Sequence, residues 1–273
     1  MRRLMNITPR RGGRLLLGLL PFVLIAFLYV AGSAERRAVN PDDKLLPPVS
    51  EMAAAIKRAA FEPDRRSGEY VLWNDTAASL RRLAFGLGIA TAGGLAFGLA
   101  IGVLPLAGAA FAPLIGILSM IPPMAVLPIL FIVFGLGELS KVVLIVFGVA
   151  PFLVRDMALA INNMPVEQLV KAQTLGASTW QVAIRVVLPQ IMPRLIEAVR
   201  LSIGPAFLFL IAAEAIAAEN GLGYRIFLLR RYLAMDTILP YVAWITQLAW
   251  LLDAALAVLA RRAFAFAYVT ERR

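Results

Sequence analysis

Positions 15–34, between Arg14 and Glu35, carry no charged residue. At a rise of about 1.5 Å per residue, that run reaches roughly 30 Å, the thickness of a hydrocarbon core. It predicts a first membrane span over 15–31. A polar stretch follows from 33 to 75, punctuated by Pro41, Pro47, Pro48 and Pro63, and within it 50–61 reads as a short amphipathic surface helix. Residues 83–137 again lack charge altogether. That run is too long for one span and is interrupted at Pro105, Gly108 and Pro113, so the pattern predicts two helices, 83–104 and 112–134. A shorter apolar stretch, 142–154, reaches membrane length only by taking in Arg155, Asp156 and 157–161. Beyond a mostly polar segment from 162 to 196, apolar runs over 198–217 and 238–260 flank a loop at 219–236. The sum is six spans in an all-α, polytopic membrane protein.

Composition strengthens this reading. The 273 residues are 60% hydrophobic and 16% charged, with a mean hydropathy of +0.79, against roughly 25% charged residues in soluble domains. A net charge of +10 raises the question of nucleic acid. The basic residues, however, cluster beside apolar runs instead of alternating with exposed aromatics, so they read as membrane-flanking charges facing lipid headgroups, with no nucleic-acid partner. Cysteine and histidine are both absent. Thiolate and imidazole ligands, Cys or His nucleophiles and disulfides go with them, and no catalytic or metal-binding residues are assigned.

The chain divides into 1–74 (N-terminus, first span and polar segment), 75–260 (the transmembrane domain) and 261–273 (a basic tail). An even span count puts both termini on one side. Arg2, Arg3, Arg10, Arg11 and Arg14 before the first span, with Arg261, Arg262, Arg272 and Arg273 after the last, place that side in the cytoplasm of a bacterial inner membrane. Loop charge agrees less cleanly: 33–75 holds seven Lys/Arg and 219–236 holds three. The assignment therefore rests on the terminal flanks and on long loops being less bound by the rule. The alternative for the first span is a cleaved signal peptide, with Gly32, Ser33 and Ala34 resembling a cleavage site, although the run is long for that purpose.

Four features stand out. Gly94, Gly98 and Gly102, extended upstream by Ala90 and Gly86, place every small residue on one helix face, suited to close packing inside the chain or against a second copy. In the stretch that Met120 opens, Pro122, Pro123 and Pro128 must break or kink the helix. Irregular backbone at membrane depth either lines a water-filled route or is buried in protein. Gly204 and Pro205 kink another span, and Met120, Phe207 and Leu210 are expected to face the route. The fourth feature is Val170, Lys171, Ala172, Gln173, Thr174, Leu175, Gly176, Ala177, Ser178, then Val186, Val187, Leu188, Pro189. It reads as two short helices hinged at Gly176, with Leu169, Ala172 and Leu175, then Trp180, Ile184, Val187 and Leu188, forming apolar faces.

On Ala172, Gly176, Val186, Leu188 and Pro189, this segment resembles the EAA loop of binding-protein-dependent ABC importer permeases. Val170 departs from the pattern, standing where the family opens the motif with an acidic residue; Glu167 is the nearest substitute. Ile121, Pro122, Pro123, Leu127, Pro128, the run 134–141, Ala213, Glu214 and the run 220–224 are similar to the nitrate/sulfonate/taurine group. The resemblance extends over about 75–266, and Arg155 with Asp156 is a second departure.

The resemblance implies a type I importer fold. It further implies a permease homodimer, ABC ATPase subunits docked on the coupling segment, and an extracytoplasmic solute-binding protein delivering a small solute such as nitrate, a sulfonate or taurine. ATP and Mg belong to the partner ATPase: no GxxxxGK[ST] loop occurs in this chain, which is not an enzyme and binds no cofactor itself. Among ionisable groups near spans, Arg155 and Asp156 read as interface positions just outside lipid, and Asp253 as paired within the bundle. Glu214 reads as a gate, a docking contact or a helix cap. The rival class is an ion-coupled secondary transporter, which would need matched halves with midplane acids; no internal repeat is visible.

Overall fold

The computed structural model describes residues 11–41, 43–64 and 68–272. Arg2, Arg3, Arg10 and Arg273, on which the orientation partly rests, lie outside them, as do Arg65 and Arg66.

Helix α1, Arg11–Val39, is a single unbroken helix. Its most apolar window has none of its residues buried inside the chain, so lipid or another polypeptide must cover it. Its second half is fastened where Tyr29 Oη donates to the Pro47 carbonyl at 2.6 Å and Ser33 Oγ to that of Leu46 at 2.8 Å. Helix α2, Val49–Phe61, matches the predicted surface helix. Helix α3, Val71–Val103, starts well before the predicted 83. The charges at Asp75 and Arg82 halted the sequence reading, but the backbone winds through them because both are paired in the folded chain.

Helices α4, Pro105–Leu118, and α5, Pro123–Phe134, replace the single helix expected over 112–134. They meet at 96°, a broken span or a re-entrant loop. The break expected at Pro105 is present, α3 ending at Val103 and Pro105 opening α4 as a preorganised first residue, whereas Gly108 and Pro113 lie within α4. A second break falls at Pro122, whose extended ψ of 118° is imposed by Pro123 behind it. Among the described residues five helices are long and apolar enough to span a membrane, or six if the bent pair is one span.

Helix α6, Glu138–Asn162, is one continuous span that contains Arg155 and Asp156. Helix α7 is Val166–Thr174. The second helix of the hinged pair is not separate. A short α8, Thr179–Gln181, passes through a π-helical turn, Val182–Val187, into α9, Leu188–Ala217. Helices α10, Leu222–Arg230, and α11, Met235–Ala263, complete the bundle, and a 3₁₀ segment, Ala265–Arg272, follows. The expected divisions at 74/75 and 260/261 both fall inside helices.

The core is organised on α3 and α6, which run parallel in a constant register. A Cβ added to Gly86 would lie 2.7 Å from the Ile145 Cβ, one on Gly94 2.5 Å from that of Leu153, and one on Gly98 2.5 Å from that of Met157; at Gly102 the nearest atom is Ile161 Cδ1 at 2.7 Å. The small-residue face is therefore filled by the chain's own α6, at a separation only glycine allows. Helix α9 packs across α6, where Gly148 leaves room for the Phe209 ring.

Candidate functional site

Two constructions occupy opposite ends of the bundle. The first follows the C-terminus of α6. Helix α7 carries Glu167 in its first turn and Lys171 in its last, matching the helix dipole. It ends in a two-bond cap: Ala177 N–H donates to the Ala172 carbonyl at 3.1 Å and Gly176 N–H to that of Gln173 at 2.9 Å. This closure requires a left-handed residue, and Gly176 supplies φ +84°. Ser178 then opens the next helix with a capping box. Its Oγ accepts from Gln181 N–H at 3.3 Å while its own N–H donates to Gln181 Oε1 at 2.8 Å. Only one residue, Ala177, separates the C-terminal glycine from the N-cap, so the corner is rigid.

Pro189 explains the π turn that follows. Proline offers no N–H to the preceding turn, and the Leu188 N–H instead reaches back five residues to the Ala183 carbonyl. Of the predicted apolar faces, Leu169 and Ala172 pack against the core and Val187 is buried in it, and Ala177 packs there too. Leu175 and Trp180, expected on those faces, point outward instead, 79% and 73% exposed, with Val166 and Val170 beside them. Glu167, one helical turn before Val170, presents a carboxylate on the same side of α7. Gln173 and Thr174 are exposed.

The second construction was not anticipated as a unit. Asp75, Ser79 and Arg82 line one face of α3 and are buried. Arg82 uses all five of its N–H donors. Two go to Glu138, Nε to Oε2 at 2.5 Å and Nη2 to Oε1 at 2.7 Å. One goes from Nη1 to Glu214 Oε1 at 2.7 Å, and two go to Asn220, Nη1 to the carbonyl at 2.9 Å and Nη2 to Oδ1 at 2.8 Å. Ser79 Oγ donates to Glu214 at 2.8 Å and accepts from Leu222 N–H at 2.9 Å, and Gly223 N–H donates to Glu214 Oε2 at 2.9 Å. Asp75 accepts from Gly221 N–H at 3.0 Å and from Arg225 Nε at 2.8 Å. Lys141 Nζ donates to Glu138 at 3.0 Å. Three carboxylates, Asp75, Glu138 and Glu214, face three cations, Arg82, Lys141 and Arg225, so the cluster carries no net charge.

The links to Asn220, Gly221, Leu222 and Gly223 depend on the turn between α9 and α10. Gly221 has φ +122°, and a Cβ there would sit 2.6 Å from the Glu214 carboxyl carbon; one on Gly223 would sit 2.6 Å from the Ile211 carbonyl oxygen. The two sequence motifs around Glu138 and Glu214 thus converge on Arg82. The signal available beforehand was Asp75, Ser79 and Arg82 at helical spacing, beside an apolar run that should exclude charge.

The expected route residues do not share one surface. Met120 is 77% exposed at the α4–α5 break beside Pro122 and Pro123, and Pro128 is exposed on α5. Phe207 and Leu210, by contrast, are buried in the core, and Glu214 is fully withdrawn from solvent. The open face of α9 is Leu201, Gly204, Pro205, Leu208 and Ile216, whereas Phe207 and Leu210 lie on its covered side. Asp156 accepts from Arg194 at 2.8 and 2.6 Å, joining α6 to α9, and Asp253 accepts from Arg200 at 2.8 and 3.0 Å, joining α9 to α11.

Residues 85–265 match the protein family described as "Binding-protein-dependent transport system inner membrane component". The chain is similar to the taurine transport system permease protein TauC of Escherichia coli (strain K12), 36% identical over 192 residues, 70% of each chain. It is also similar to the nitrate import permease protein NrtB of Synechococcus elongatus, 27% identical over 208 residues, 75% of this chain and 74% of that one. Its fold resembles a chain of the MetNI methionine ABC transporter in an inward-facing conformation, with a TM-score of 0.60, 20% identity, and coverage of 73% of this chain and 99% of that one.

Proposed function

The chain belongs to the family of binding-protein-dependent transport system inner membrane components, and on that premise we propose how its two ends divide the work of an ABC importer permease. The corner around Gly176 receives force from a separate ATPase at the cytoplasmic face. The Arg82 lattice braces the opposite, extracytoplasmic end, where a solute-binding protein delivers a small sulfonate, taurine-like or nitrate-like solute. Two copies of the chain enclose the route, lined by the α4–α5 break and by the Leu201–Leu208 face of α9. Hydrolysis of ATP with Mg takes place in the partner.

One observation carries this reading: a rigid, doubly capped corner presents Val170, Leu175 and Trp180 to the exterior although it is polar enough to sit outside lipid. Exposed apolar side chains on a preorganised scaffold are what a docking protein would bury. Because α8 runs through the π turn into α9 without a break, a push on Trp180 is transmitted along a helix to the far end, where Glu214 holds Arg82. That is a lever suited to rocking the bundle between two openings.

Purification in mild detergent tests this. Leu175→Asp and Trp180→Asp are expected to lose the co-purifying ATPase and at least 10-fold of binding-protein-dependent uptake, while the permease itself accumulates normally. Full retention of the ATPase by both variants would reject the docking site.

A further inference from the structure

Arg155 lies two turns from the C-terminal end of α6, in a span where an unpaired guanidinium is costly. Three arginines elsewhere on the spanning helices have carboxylates: Arg82 has Glu138 and Glu214, Arg194 has Asp156, and Arg200 has Asp253. The carboxylate adjoining Arg155 is that same Asp156, held by Arg194 through two hydrogen bonds. Arg155 itself donates from Nη1 to Ser119 Oγ at 2.7 Å, at the break between α4 and α5. That hydroxyl in turn donates to the Gly116 carbonyl at 2.8 Å.

The guanidinium borders a cleft of about 550 Å³ between α3, α4 and α6, whose apolar walls include Ile101, Ala112, Ile115, Phe152 and Leu159 and whose other polar lining is Ser119, Asn162 and Asp156, the last neutralised by Arg194. Such a volume falls within the range of small-ligand sites, and so does its chemistry, apolar walls with few polar groups. Phe152 and Leu159 flank Arg155 on the exposed face of α6. Low-dielectric walls strengthen the field of a single cation, and a planar fork of donors matches the oxygens of an oxyanion.

From this arrangement we infer that Arg155 and the cleft beside it form an anion-receiving site within the membrane domain, taking a small sulfonate or nitrate-type oxyanion during passage. The inference rests on the importer reading for its ligand class, and it assigns the charge to a residue on the route instead of to the binding protein alone. A lipid headgroup oxyanion would satisfy the same donors, and the transport arm below separates the two.

The chain has no cysteine, so Ala112→Cys places a single thiol on the cleft wall of the assembled transporter in membrane vesicles. Its rate with anionic 2-sulfonatoethyl methanethiosulfonate is compared with its rate with the cationic 2-trimethylammonioethyl analogue. The anionic preference is expected to fall about 10-fold on adding Arg155→Gln and to survive Arg155→Lys. Millimolar ethanesulfonate is expected to slow the labelling, and Arg155→Gln to lower uptake of ethanesulfonate or nitrate at least 5-fold with the complex still assembled. An unchanged preference in Arg155→Gln, or a thiol reactive with neither reagent in any nucleotide state, overturns the proposal. Unchanged uptake in Arg155→Gln overturns it too, leaving a lipid contact as the explanation. Absence of ATP-driven uptake in the unmodified transporter would instead defeat the importer reading, since the labelling ratio reports on Arg155 independently of transport.

Discussion

Arg82 is the residue on which the most buried polar chemistry depends. Its removal strands Glu214, whose remaining partners are Ser79 and a backbone N–H. Arg82→Ala should therefore cost about 3–5 kcal/mol, the usual penalty for leaving one member of a buried pair uncompensated. Thermal unfolding in detergent would read this as a large fall in midpoint, and Arg82→Ala with Glu214→Gln should recover part of it through coupling. The glycines of α3 offer a second comparison. Nothing lies within 4 Å of a Cβ built on Gly93, whereas Gly94 meets Leu153 at 2.5 Å. Gly94→Ala should destabilise by about 1–3 kcal/mol through overpacking, and Gly93→Ala should be neutral or slightly stabilising in the same assay.

At the scale of elements, the corner between α7 and α8 is defined by backbone conformation. No neighbour lies within 4 Å of a Cβ on Gly176, so Gly176→Ala meets only the strain of φ +84°, roughly 1 kcal/mol. Such a change should leave the ATPase bound but loosen the corner, seen as uptake falling further than ATP hydrolysis does. The exposed stripe of α9 gives a sharper readout. Leu208→Cys should react with a water-soluble thiol reagent in at least one nucleotide state, and Phe207→Cys should not, because Leu208 is 59% exposed and Phe207 is 4% exposed. Sequence alone located the break near Pro122 and Pro123, since proline chemistry is local. It ended the second hinge helix short of the span that follows, because Pro189 reads as a stop unless a π turn absorbs it.

Across the whole molecule, the corner around Gly176 and the Arg82 lattice sit at opposite ends, joined by α6 and α9. In the proposed orientation, Ala177→Cys should label with an impermeant reagent only from the cytoplasmic side and Glu219→Cys only from outside; the reverse pattern would invert the coupling scheme. Outside the spans, Asp43 bonds Arg36 and the Leu45 N–H, which hold its carboxyl below the usual carboxylate range. That brace on the α1–α2 connection is therefore present at neutral pH and is lost as acid protonates Asp43. Hydropathy determined that the chain lives in a bilayer and that it carries about six apolar segments, because transfer to lipid is a property of neighbouring residues. The sharing of Arg82 between Glu138 and Glu214, 56 and 132 positions away, was decided only when α3, α6 and α9 came together. A buried charge is tolerated according to its partner in space, and no window along the sequence contains that partner.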